Sequence, residues 1–419
     1  MISRRALVSA LEDRRVTDWT VIERDQELAT VTDTRRRTDD RTRWVVIVHQ
    51  DVPRGRGSAR LEIGALDGNA RDLVDQAQAL ALSTVGPPWR STLPAAPAKV
   101  DIADPALTKA ALDETAAQLL AALPHPADST VSGEIELMRE RVTVQTRQGL
   151  RTGWTATQVR ASALVAVSAS SLELVREARR VTDLDLAQAI PLAAVDLALL
   201  GTAAAPKPGS CSLLLRSDAL LHGGGLGVWS VFATHATAEL ERQGLVRYRL
   251  GAPVVTGADQ IDEPLTVTSD GALDFATRSS PLGDDGDAVR RFPLVERGVA
   301  AGLGMSMREA SRRRTEPNGG VRNLVVAPGT WTEVIPPGRS LDVRRLRSLS
   351  IDPYTGDASL EIALAIDRDG GGERAITGGI VRIDLVAALA RARRSATPLR
   401  RGAYLGPSSI LIEDAEVLV

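Results

Sequence analysis

Four histidines, one cysteine and a run of aspartates are the residues of this chain whose types suit metal or nucleophile chemistry. The histidines are His49, His125, His222 and His235. His222 and His235 stand thirteen residues apart, which is not a spacing that brings two imidazoles to one ion from a helical face. Serines and aspartates are plentiful, yet none lies in a nucleophile-elbow pattern beside a base. Cys211 follows Pro208, Gly209 and Ser210 and opens an apolar run, so a buried structural thiol is expected. Asp284, Asp285 and Asp287 alternate with Gly283 and Gly286 but lack the twelve-residue spacing and closing glutamate of a calcium loop. They read as a solvated turn. The glycine groups at 223–227, 302–304 and 370–372 lack the Lys-Ser/Thr pair of a phosphate loop and read as turns. The basic run at 308–314 (REASRRR) reads as the solvated C-terminal end of a helix, where cations complement the dipole.

These residues need a scaffold, and its size is bounded by composition. A chain of 419 residues calls for two or three structural units. With 43 % hydrophobic but 3 % aromatic residues, the core must be built from Leu, Val, Ile and Ala. The net charge of −2 argues against a general nucleic-acid or membrane-surface binder, which needs a basic field. A single cysteine excludes an internal disulfide and a multi-cysteine metal cluster. The start (MISRRALVSALEDRR) has no signal-peptide core, and no segment approaches ~20 uninterrupted apolar residues. A cytoplasmic protein is expected.

Three segments follow from the pattern, giving an α+β fold: an N-terminal antiparallel sheet with helices (1–95), a central α/β meander unit (100–205) and a β-rich C-terminal domain (209–419). In the first, a helix is expected at 6–11 and short strands at 27–32, 43–50 and 57–63. Ala59, Leu61 and Ile63 alternate as one buried face. A helix at 69–82, capped by Asp67 or Asn69, ends before the GPPW at 86–89. A Pro/Ala linker follows at 93–99. In the second, Asp104-Pro105 reads as an N-cap and first helical residue, with Leu112, Ala116, Leu119, Leu120 and Leu123 as the apolar stripe. Strands at 134–138, 141–146 and 157–168 form a meander, and a helix at 184–200 is interrupted or kinked at Pro191. After the linker at 206–209 (PKPG) come a strand at 212–215, a helical segment at 217–221 and a further helix at 226–241.

The segment 284–304 (DDGDAVRRFPLVERGVAAGLG), then 322–329 (RNLVVAPG) and 354–357 (YTGD), resembles the C-terminal half of the TldD/PmbA family; PmbA is also called TldE. Fainter similarity extends to 55–59 (GRGSA), 142–149 (VTVQTRQG), 206–222 and 373–380 (ERAITGGI). In that family the zinc-bearing member resembles a peptidase with an HExxxH helix and a downstream cysteine. Such a helix works because two imidazoles hold zinc while the adjacent glutamate serves as base for the bound water. By resemblance His222 falls at the first ligand position, but Gly223 stands for the glutamate and Gly227 for the second histidine. No cysteine lies near 321–324. The resemblance therefore implies a degenerate metal position, with no catalytic, cofactor or metal residue supplied by this chain.

The implied role is a non-catalytic TldE/PmbA-like subunit. It would pair as a heterodimer with a TldD-like, zinc-bearing partner and shape a cavity for extended or leader peptides. Strand addition to an exposed sheet edge is the expected mode of peptide capture, placed in the β-rich C-terminal domain. A stand-alone peptide-binding or structural homodimer is the alternative, and an autonomous hydrolase with another site is a third reading.

Overall fold

The computed structural model of the chain describes residues 2–64, 68–92, 95–257, 261–335 and 337–419. Asp67, one of the two candidate helix caps, and part of the Pro/Ala linker lie outside the described residues.

The first half contains α1 (Arg4–Asp13), β1 (Asp18–Thr32), β2 (Arg35–Val52), β3 (Gly55–Gly64), α2 (Ala70–Ser83), α3 (Leu112–Ala121), β4 (Thr130–Thr146), β5 (Arg151–Val167), β6 (Ser170–Ala178) and α4 (Leu186–Leu200). All six strands join one antiparallel sheet in the order β3-β2-β1-β4-β5-β6. The segments read from sequence as 1–95 and 100–205 thus meet through β1 and β4, paired from Thr20–Thr146 to Thr32–Glu134. The strands are far longer than their apolar stretches. Charged residues extend them by pairing across the ladder, as Arg24 does with Glu140 and Arg139 with Glu27.

Helices α1 and α2 cover one end of this sheet, burying Leu7, Leu11, Trp19, Trp44, Val46 and Val74. Asn69 caps α2 by accepting from the backbone N–H groups of Arg71 and Asp72. Helices α3 and α4 cover the other end with Leu112, Ala116, Ile190 and Leu197. In β2 the run at 44–48 is buried on both faces: Val45 and Ile47 pack with Leu282 of the second half.

Three expectations are corrected here. Asp104 does not cap a helix, because its carboxylate accepts from Ala106 N and Val181 N and so pins a turn. The α-helix starts only at Leu112, after a 3₁₀ turn at Lys109–Ala111. Helix α4 runs without a break through Pro191. The helix expected at 226–241 is instead a 3₁₀ turn (Gly227–Trp229), α6 (Ser230–His235) and α7 (Ala238–Gln243). The break has a tertiary cause: Gly304 donates to the Ala236 carbonyl and accepts from Ala238 N.

The second half opens with β7 (Gly209–Leu215) and α5 (Ser217–Leu220), before α6 and α7. There follow β8 (Val267–Asp270), β9 (Arg291–Glu296), β10 (Val299–Ala300), α8 (Met307–Arg313), β11 (Asn323–Val326), β12 (Ser340–Ile351) and β13 (Asp357–Asp369). The chain continues through β14 (Gly372–Ile376), β15 (Ile380–Asp384), α9 (Leu385–Arg391), β16 (Arg393–Arg394), β17 (Pro398–Arg401), β18 (Tyr404–Pro407) and β19 (Ile410–Leu418). One sheet runs β10-β9-β8-β11-β18-β17, with β11 and β18 parallel. The other runs β12-β7-β19-β15-β13-β14, and β12 also pairs with β13. Five strands therefore close a ring, β12-β7-β19-β15-β13. The largest core cluster lies in this half, where Trp229 stacks on both Phe232 and Tyr404.

Polar contacts lock the halves together. Arg179, just after β6, donates to the carbonyls of Thr157, Thr277 and Ser279. The basic run on α8 is likewise engaged within the molecule rather than solvated: Arg312 pairs with Glu309, and Arg313 with Glu241.

Candidate functional site

Where β6 faces the second half, a cleft of about 440 Å³ opens. Its walls are residues 172–177 of β6, the loop from Leu221 to Gly225 after α5, Arg345 on β12, Arg401 at the end of β17, and Gly402. His222 lies in this cleft. Its ring makes no hydrogen bond among the described residues, and partial burial pushes its pKa below the usual imidazole value.

An Asp218-centred network of charges forms the cleft floor, and sequence reasoning missed it. Asp218 Oδ1 accepts from Arg176 Nη2 at 2.8 Å and Arg401 Nη1 at 2.6 Å, while Oδ2 lies 2.5 Å from Arg345 Nη1. Asp185 binds Arg176 and Arg401 again, each at 2.7 Å, and Asp196 binds Arg345 at 2.8 Å. Burial alone would raise the Asp218 carboxyl, but the charges of Arg345, Arg176 and Arg401 outweigh it and hold the pKa below the usual range. The network thus fastens β6 and α4 to α5, β12 and β17. No spacing signals it, because the partners sit 42 and 183 residues from Asp218.

The backbone beside His222 departs from a helix. Helix α5 ends at Leu220, and Gly223, Gly224 and Gly225 have φ of +73°, +76° and +59°. Gly227, in the position of a second ligand, is buried with φ of +51°. A β-carbon built there would overlap the Leu220 carbonyl oxygen and the Leu221 α-carbon. Position 227 has no room for an imidazole, and Gly223 offers no carboxylate. Among the described residues no three His, Cys, Asp or Glu side chains converge as a metal site. The residues at this position therefore do not fit a zinc ion.

The remaining singled-out residues are elsewhere. His125 is exposed in the loop after α3. His235 lines a separate cleft from His222. His49 is buried, and burial drives its pKa to about 4 despite the Asp18 charge. Its Nδ1 lies 2.9 Å from Ser58 Oγ, and Asp18 faces it across the ladder, so the row has the composition of a catalytic triad. The geometry is not that of one. The His49 Nε2 has no partner, Asp18 accepts from Arg56 and Gln148, and Trp89 packs edge-on over the imidazole.

Cys211 is buried in β7, and burial raises its pKa to about 11. The thiol is neutral near pH 8 and shielded. Native protein is expected to react with an aromatic disulfide reagent only on unfolding, releasing one thiol equivalent; rapid labelling of folded protein would contradict this placement.

The aspartate turn is solvated only in part, with Asp284 exposed and Asp287 buried. Gly283 N donates to the Asp287 carbonyl, Arg322 pairs with Asp284, and Asp287 is 3 % exposed. Burial, reinforced by Asp285, raises the Asp287 carboxyl to about 6. Its folded pKa exceeds the ordinary aspartate value of 3.8, so its stabilising contribution is present below about pH 4 and disappears as pH rises through 6. Asp287→Asn removes that loss. The variant should gain on the wild type across this window, levelling above pH 7 at about 3 kcal/mol. Urea titrations at pH 4 and 8 measure the difference.

With this geometry described, comparison with known proteins is informative. Residues 249–418 match the PmbA/TldA metallopeptidase C-terminal domain. Residues 249–418 are thus similar to the C-terminal domain of the TldD/PmbA family. No curated protein matches the chain by sequence. Solved structures share its fold over nearly the whole length. A candidate modulator of a DNA gyrase from Thermotoga maritima aligns with a TM-score of 0.75 at 15 % identity, covering 99 % of each chain. A second candidate modulator of DNA gyrase, from Bacteroides thetaiotaomicron, gives 0.75 at 14 %, covering 100 % of this chain and 99 % of that one. TldE from Thermococcus kodakarensis gives 0.71 at 15 %, covering 98 % and 100 %. In none of the described helices is there a stretch long and apolar enough to cross a membrane.

Proposed function

We propose that the chain is a non-catalytic, TldE/PmbA-like subunit that pairs with a zinc-bearing, TldD-like partner and holds an extended peptide in the His222 cleft. The observation that carries this reading is the closed backbone at Gly227, where a second histidine ligand cannot be placed. Chemistry is then the partner's, and this chain's contribution is to bind. Strand β6 is suited to peptide binding, because it is the outermost strand of its sheet and six of its consecutive residues line the cleft. An open edge offers main-chain donors and acceptors to any extended peptide, whatever its side chains. The cleft edge thus belongs to the first sheet, not to the C-terminal half where strand addition was expected.

Co-expression with a TldD-like homologue carrying HExxxH tests the proposal. The two chains should co-elute on size exclusion, with zinc in the partner and chelator-sensitive peptide cleavage by the pair alone. Stoichiometric zinc and chelator-sensitive cleavage by this chain in isolation would overturn it, and so would failure of the two chains to associate.

A further inference from the structure

A second cleft, of about 380 Å³, lies between α6, the loop at 246–256 and α9. Arg247, Arg249 and Arg391 line it, and Asp384 is the one acid among its lining residues. Arg247 is paired with Asp384 at 3.1 Å. Arg249 donates through Nη1 to the carbonyls of Val246 and Tyr248, and Arg391 through Nη2 to that of Thr256. The other guanidinium nitrogens of Arg249 and Arg391 have no acceptor among the described residues. His235 forms part of the wall and is 2 % exposed, yet its Nε2 has no hydrogen-bond partner. Arg249 and Arg391 are exposed, so their remaining N–H groups are free to take an acceptor from solution. Three cations against one anion leave the cleft positive by two charges, with His235 held neutral by burial. The remaining wall is apolar, built from Phe232, Val254 and Val386.

From these residues we infer that the second cleft binds the carboxylate of a small apolar acid, either the C-terminal end of a peptide or a free acylated amino acid. A carboxylate matches the planar guanidinium fork, and the apolar wall selects an organic acid over inorganic phosphate. The volume falls within the range of small-molecule sites. This inference is independent of the subunit role proposed above.

Calorimetric titration of the full chain tests it with N-acetyl-leucine, N-acetyl-leucinamide, inorganic phosphate, and a tripeptide ending in leucine as free acid or amide. Saturable binding of the acids is expected, at least tenfold tighter than the amides or phosphate, and Arg391→Gln together with Arg249→Gln should weaken it by a further tenfold or more. Binding of the tripeptide acid assigns a peptide end, and binding of N-acetyl-leucine alone assigns a free acid. Equal affinity for acid and amide, equal affinity for phosphate, or no saturable binding overturns the inference. The acid–amide comparison uses wild-type protein, so it holds even if the variant fails to fold.

Discussion

Asp218→Asn is expected to destabilise the protein by about 3 to 5 kcal/mol at neutral pH, because it removes the one carboxylate shared by three guanidiniums. The side chain is only 15 % exposed, so water replaces the lost charge poorly. Asp185 still serves Arg176 and Arg401, and Asp196 serves Arg345, but none of them spans all three arginines. The damage should fall on the junction between β6 and the second half. The pH dependence has a defined sign. Since the arginines hold the folded pKa of Asp218 below 3.8, its contribution is present above about pH 4 and is lost as pH falls through the folded value. Denaturant melts of variant and wild type should therefore differ most at pH 7 and converge in acid. An equal difference at pH 7 and pH 3 would show that shape, not charge, is what Asp218 supplies.

Gly227→Ala should cost about 3 kcal/mol or more. A β-carbon collides with backbone atoms of residues 220 and 221, which have no side-chain freedom to retreat. A left-handed φ adds about 1 to 2 kcal/mol for a non-glycine residue. Trp229, fully buried two residues on, would be displaced with the turn. Restoring the peptidase motif by Gly223→Glu with Gly227→His should consequently yield a poorly folded protein without zinc. Thermal melting and metal analysis of the purified variants check both statements. A well-folded double variant binding one zinc would mean that the loop can rebuild itself into a helix.

The α+β class and the rich β content of the C-terminal half were legible in the sequence, and so was α2 with its Asn69 cap. Local signals sufficed there, since an apolar stripe and a cap residue lie within one window. Strand lengths were not legible. Arg24, Glu27 and Arg139 look like solvent residues until a partner strand arrives to neutralise them. The cap reading of Asp104 failed for a related reason, because Val181, distant in sequence, claims its carboxylate. At the site, resemblance singled out His222, and the fold sets that residue in the cleft beside β6. The Asp218 network around it could not be found from sequence, because its arginines come from β6, β12 and β17, which only the folded chain brings together.

The ring β12-β7-β19-β15-β13 has a consequence for how the protein is made. Strand β7 leaves the ribosome long before either of its neighbours, β12 and β19. During that interval its run Leu213, Leu214 and Leu215, completely enclosed in the finished protein, is an unpaired apolar edge. Overproduction should therefore favour slow translation and low temperature, and nascent chains stalled between β7 and β19 should be prime clients for holdase chaperones.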